Sequence, residues 1–246
     1  MNATFTKMLR TAGIALASSV VGFAVLNSMT ARADVLSTIE SQCATLGATE
    51  YQIAFVSSDY STATSSNIQD YNNFVSTEAA LGSSYLSDFV PAGTAWTAIA
   101  STLAVNATSN APTYSGVPIF NTDGQLVLSD GSTLYDLNTL SNPIDDTQYG
   151  SSITSPVWTG SEQNGTGYYY LVMGSTSGFT FQGYSSNTAD GRWLDNAASA
   201  QSFEGYPLYA LSSPISAVPE PSTIALSSSA LLGLGLAYLR RRSAKR

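Results

Sequence analysis

The apolar positions of this chain change period several times from one end to the other. Leu36, Ile39, Cys43 and Leu46 recur at three-to-four spacing with Gly47 behind them, which predicts a short helix. Residues 51–57 are aromatic and β-branched and run into turn formers, the pattern of a strand. Over 67–81 the helical period returns, with Ile68, Tyr71, Val75 and Ala79 on one face and Gly82 as the stop. From Ala95 onward, short apolar runs alternate with turns. Asp123-Gly124 and Asp130-Gly131 read as hairpin-type turns flanking a strand at 125–128. Further strands are expected at 157–159, 168–173, 179–182 and 207–211. Two early helices before an antiparallel β-rich remainder predict an α+β domain.

Two longer apolar runs lie outside that domain. Lys7 and Arg10 precede a run over 12–26, and Ala31-Arg32-Ala33 offers a small-x-small cleavage site between Ala33 and Asp34. That order predicts a secretory signal peptide over 1–33, removed by signal peptidase, with a retained N-terminal anchor as the other reading. At the far end, 222–239 holds 18 residues without a charge. As a helix it would reach about 27 Å, enough to act as a transmembrane span. Arg240, Arg241 and Arg242 follow as a stop-transfer cluster. Both ends keep their positive charges on the cytoplasmic side, so the domain at 34–217 is expected to be exported.

The tail has a further pattern. Val218, Pro219, Glu220 and Pro221 stand directly before the span and the Arg cluster. These three parts together resemble the PEP-CTERM sorting signal of Gram-negative bacteria, here over 218–246. The resemblance implies processing by an exosortase-type membrane protease, passage through an inner-membrane intermediate, and export alongside exopolysaccharide. The destination it implies is the cell surface or extracellular matrix. It covers 29 of 246 residues and implies nothing about the chemistry of the domain before it.

Composition narrows that chemistry. Between Asp34 and Ala217 sixteen acidic residues face one basic residue, Arg192, a net charge of −15. Clustered Lys and Arg are what neutralise phosphates, so nucleic acid is excluded as a partner. The chain has no His, which removes Ser-His-Asp and Cys-His catalysis and His-ligated zinc. Its single cysteine, Cys43, excludes an intrachain disulfide and reads as a core residue of the first helix, with a reactive thiol as the alternative.

Carboxylates are then the reactive groups on offer. A pair of them could carry glycoside hydrolysis, given the right separation. Oxygen-ligated calcium is the other use: Asp145 with Asp146, Glu162 with Asn164, and Asp190 with Asp195 each place two hard ligands in loop-like sequence. Ordinary turn formation explains the same residues without a metal. No other cofactor is implied. Glu162-Gln163-Asn164 is similar to the Glu-Pro-Asn of sugar-binding lectins with its middle residue changed.

Aromatic residues crowd the same region. Trp158, Tyr168, Tyr169, Tyr170, Phe179, Phe181, Tyr184 and Trp193 fall within 36 positions. Strand alternation would put Tyr169 opposite Tyr168 and Tyr170 and expose at least one face. Such faces suit sugar rings; half-buried sheet packing is the plainer use.

A second resemblance is to C-type-lectin-like or endostatin-like domains. Its pieces are Phe55-Val56-Ser57-Ser58, the helix near 71–81, Ala95-Trp96-Thr97-Ala98, Pro156-Val157-Trp158-Thr159-Gly160 and Leu208-Tyr209-Ala210-Leu211. The cysteines that often bridge the ends of that family are missing here. Taken together, the expectation is an exported, exopolysaccharide- or biofilm-associated protein with a structural or glycan-binding role and no enzymatic activity. A secreted carboxylate-dependent glycan hydrolase is the alternative, and an inert matrix filler a third.

Overall fold

A computed structural model describes residues 35–217 except 137 and 138. The leader with its Ala33–Asp34 junction, the sorting motif, the 222–239 span and the Arg cluster lie outside the described residues. Among the described residues no helix is long and apolar enough to cross a membrane.

The architecture is α+β, built on β1 (Glu50–Val56), whose last six residues are all buried. Tyr51, Ile53 and Phe55 enter one apolar core, and Ala54 and Val56 a second on the other side of the sheet. A strand covered on both faces needs a near-continuous apolar run, which is what Tyr51 to Val56 supplies. Its one polar member, Gln52, donates through Nε2 to the carbonyls of Ser212 at 2.7 Å and Pro112 at 3.2 Å.

The first core is covered by helices. In α1, over 35–46, Ile39 and Cys43 are buried. Leu46, expected inward, is exposed, because Gly47 at φ 70° ends the helix and Ala48 N–H donates back to the Cys43 carbonyl. Next comes α2 (Ile68–Leu81), capped where its sequence says it should be: the Asn67 side chain accepts from Gln69 N–H, and Gly82 N–H donates to the Glu78 carbonyl. Tyr71, Val75 and Ala79 form its buried face. After it come α3 (Ser83–Leu86), β2 (Trp96–Ala98) and α4 (Ala107–Asn110), the last a single turn without an apolar period to announce it. Asn72 ties three of these together, accepting from Ala98 N–H at 2.9 Å and exchanging amide bonds with Asn110.

The main sheet is mixed, which corrects the antiparallel expectation. β3 (Ile119–Phe120) runs parallel to β1, with Gln52 opposite Ile119. The intervening helices form the long crossover that a parallel pair requires. β4 (Leu126–Leu128) pairs antiparallel with β3 across the Asp123-Gly124 turn, with Gly124 at φ 77°. Asp130-Gly131 makes no hairpin: the Asp130 carboxylate accepts from Ser132 N–H and caps a 3-10 turn at Gly131–Thr133.

A separate three-stranded sheet follows, in the order β5 (Pro156–Trp158), β6 (Phe179–Tyr184), β7 (Ala198–Gln201). The chain then returns to its beginning. β8 (Tyr209–Ser212) inserts between β2 and β1, and β9 (Ile215–Ser216) continues along β1, so Glu50 stands opposite Ser216. Ala217 N–H donates to the Thr49 carbonyl, which places the last described residue beside the first strand.

Candidate functional site

The outer face of the small sheet carries a cluster of open aromatic side chains. Phe179 and Phe181 alternate with Thr180 and Gln182 along β6 and take the opposite side of the sheet. Thr180 and Gln182 are buried, as is Trp158, the cross-strand partner of Gln182. On the open side, Phe179 stands opposite Gln201 and Phe181 opposite Ser199, both exposed. Tyr168 leans on Phe181, ring centres 6.0 Å apart, and meets Tyr170 edge-on at 6.2 Å; Tyr169 meets Tyr170 at 4.9 Å.

The tyrosines reach this face because 168–173 is a chain of turns and not the expected strand. Leu171 N–H donates to the Tyr168 carbonyl, and the hydroxyls of Ser175 and Ser177 both donate to the Tyr170 carbonyl. Side chains occupy the backbone acceptor that a neighbouring strand would have used. Alternation therefore does not apply. All three tyrosines are exposed, Tyr169 by 61% and Tyr170 by 60%.

Two expected platform residues are not there. Trp158 is 0% exposed, donating through Nε1 to the Ser61 carbonyl at 3.1 Å with the Tyr206 ring edge-on at 4.9 Å. Trp193 is 1% exposed and packs edge-on against Tyr209 at 5.6 Å. Both belong to the cores. Conversely, Tyr60 and Phe203 are open, and periodicity gave no sign of them. The available signal was compositional: a large apolar ring inside a run of turn formers with no apolar partner at strand or helix spacing.

The acidic pairs are partly brought together. Glu162 and Asp195 become neighbours, as Gln163 Nε2 donates to the Asp195 carbonyl at 3.4 Å. Burial pushes the Asp195 carboxyl up from its ordinary value, the Ala197 N–H bond opposes this, and the Glu162 charge adds to it. Asn164 Oδ1 accepts from the N–H and hydroxyl of Thr166, and Glu162 accepts from the same hydroxyl. Asp190 is exposed in a tight turn at φ 52°. Asp145 accepts from Ser152 Oγ at 3.0 Å. Among the described residues, no group of three or more His, Cys, Asp or Glu converges as metal ligands.

Asp146 is 4% exposed, and its carbonyl accepts from Val56 N–H. Burial, with the charges of Asp123 and Asp145 beside it, raises its carboxyl from 3.8 to about 7. In the folded chain this group thus keeps its proton over a range where the unfolded chain has lost it. The stability this contributes is complete below 3.8 and is lost as pH rises through about 7. Each pH unit between the two values is worth about 1.4 kcal/mol, and a twofold discount for solvent screening leaves about 2 kcal/mol. Urea titrations from pH 4 to pH 8 should show wild-type stability falling by that amount. Asp146→Asn should flatten the slope, and an unchanged slope would remove the assignment.

Comparison of the chain with protein-family models and with curated proteins returns no match.

Proposed function

We propose that the chain is an exported surface or matrix protein, sorted through its C-terminal signal, whose domain binds polysaccharide through the outer face of β5–β6–β7. The observation that carries the binding half is the open cluster Tyr168, Tyr169, Tyr170 and Phe179, lined by Ser199 and Gln201. Flat rings among hydroxyls and an amide suit sugar rings, which are apolar on their faces and polar at their rims. The sorting half rests on Val218 to Pro221, the span and the Arg cluster, with the signal peptide as an independent support for the topology. A lectin-like fold is part of the proposal. Its support is the antiparallel pairing of the first strand with the last two, which brings the chain ends together.

Co-sedimentation of the full-length protein with the producing organism's own exopolysaccharide tests the binding. Tyr169→Ser with Tyr170→Ser should weaken retention about tenfold, the sum of two modest ring contacts. Their exposure predicts a stability change within about 0.5 kcal/mol. Retention unaffected by both substitutions would dismiss this face as the binding site. Intact-mass measurement of the surface-exposed protein should place its start at Asp34 and find no Arg cluster.

A second reading, a carboxylate-dependent glycan hydrolase, takes Asp146 as its acid, since burial and the charges of Asp123 and Asp145 raise its carboxyl to about 7. Shortening of the polysaccharide that disappears in Asp146→Asn would select it over binding alone.

A further inference from the structure

We infer that the polysaccharide preferred by this face carries free amino groups, its rings stacking on the aromatics and an ammonium group meeting the Glu204 carboxylate at the end of β7. The inference rests on the glycan-binding reading and names the ligand class within it.

Two observations carry it. The first is charge. With sixteen carboxylates and one Arg between residues 34 and 217, the domain cannot neutralise its own field, and complementary charge has to come from outside. An anionic polymer would be repelled, and a fully acetylated one would gain nothing from that field.

The second is where the open rings and a carboxylate coincide. At the end of β7, Ser202 N–H donates to the Gly178 carbonyl and holds the next residue, Phe203, beside the start of β6. Phe203 is 68% exposed. Across the turn, Ser61 and Tyr206 exchange backbone bonds, which seats Tyr60, 65% exposed, against Gly205. Glu204 directly follows Phe203 and precedes Gly205, the residue Tyr60 sits against, and the Tyr206 hydroxyl donates to its carboxylate at 2.9 Å, fixing it in this corner. An ammonium group here would meet exposed aromatic side chains and a counter-ion on adjoining positions, a stronger arrangement than either alone. Arg192, the one basic residue of the domain, precedes the other end of β7.

The test compares chitosan with the same chitosan fully N-acetylated, using full-length protein in co-sedimentation at mildly acidic pH and low salt. Retention should be about tenfold tighter on the amine form, and should weaken as salt is raised. Tyr60→Ser with Phe203→Ser should remove the preference, and Glu204→Gln, which keeps an acceptor for Tyr206, should reduce it about threefold. Equal or tighter retention on the acetylated polymer overturns the inference and leaves glycan binding standing. Retention on neither polymer overturns the inference, and glycan binding itself is then decided by co-sedimentation with the producing organism's own exopolysaccharide. Poly-lysine held as tightly as chitosan, with the ring substitutions making no difference, also overturns it, because net charge alone would then explain the result.

Discussion

Gly183→Ala is expected to lower folding stability by about 3 kcal/mol, the upper end for adding one methyl group to a packed interior. A Cβ built on Gly183 would stand 1.7 Å from the Trp193 carbonyl oxygen and 2.6 Å from its carbon. These are backbone atoms, so no side-chain rotation relieves the clash. The loop carrying Trp193 lies on β6 here and is held from both sides: Leu194 N–H donates to Gly191, and Thr159 Oγ1 donates to the Leu194 carbonyl at 2.7 Å. Either the loop lifts and Trp193 leaves its core, or β6 moves away from β5. Thermal denaturation should show a midpoint lowered by about 9 °C, using about 3 °C per kcal/mol for a chain of this size. An unchanged midpoint would mean that the Trp193 backbone does not sit over this glycine.

Trp158→Ala is expected to cost more, about 4 kcal/mol, through lost burial and the cavity left behind. It would also leave the Ser61 carbonyl without its indole donor and Tyr206 without the ring it packs on. The value of this variant lies in a crossed comparison. Below its own melting temperature, Trp158→Ala should still bind polysaccharide, because Trp158 lies on the covered side of the small sheet. Tyr169→Ser with Tyr170→Ser should do the reverse, keeping stability and losing retention. Should Trp158→Ala lose retention while its melting temperature stays near wild type, the ring would belong to a binding platform and not to the core.

These outcomes turn on residues that look alike in the sequence, and the reason is instructive. Local signals survived folding well. Asn67 caps α2, Gly82 stops it, and the 71–75–79 stripe is its buried face, since each depends on neighbours within a turn or two. β1 was equally plain, because burial on both faces demands an unbroken apolar run. The parallel β1–β3 pair was not legible, as nothing within either strand specifies the direction of a partner more than sixty residues away. Nor was β7, whose Ala198-Ser199-Ala200-Gln201 lacks β-branched residues and is held by its ladder to β6. Among the candidate site residues, the Tyr168–Tyr170 cluster was found for the wrong reason. Its exposure comes from hydroxyl groups that cap the Tyr170 carbonyl, and not from strand alternation. Trp158 and Trp193 shared the aromatic crowding, but the side Trp158 takes is settled by the register of β5 against β6, and the burial of Trp193 by the turn at 191–194 that folds over β6.

The solitary Arg192 has a consequence for resistance to proteolysis. Proteases of the trypsin type cut after Lys or Arg, and between residues 34 and 217 they find one such bond. Arg192 is exposed in a turn closed by its own N–H to the Ala189 carbonyl, but the bond runs into the buried Trp193, so a protease reaches it only when that turn opens locally. Cutting it would not release either fragment. The piece after Arg192 contributes β7 to the small sheet and β8 and β9 to the main one, and both ladders would hold it in place. A nicked molecule would keep its fold and its aromatic face, so digestion by such enzymes should leave a species that separates into two bands only after denaturation.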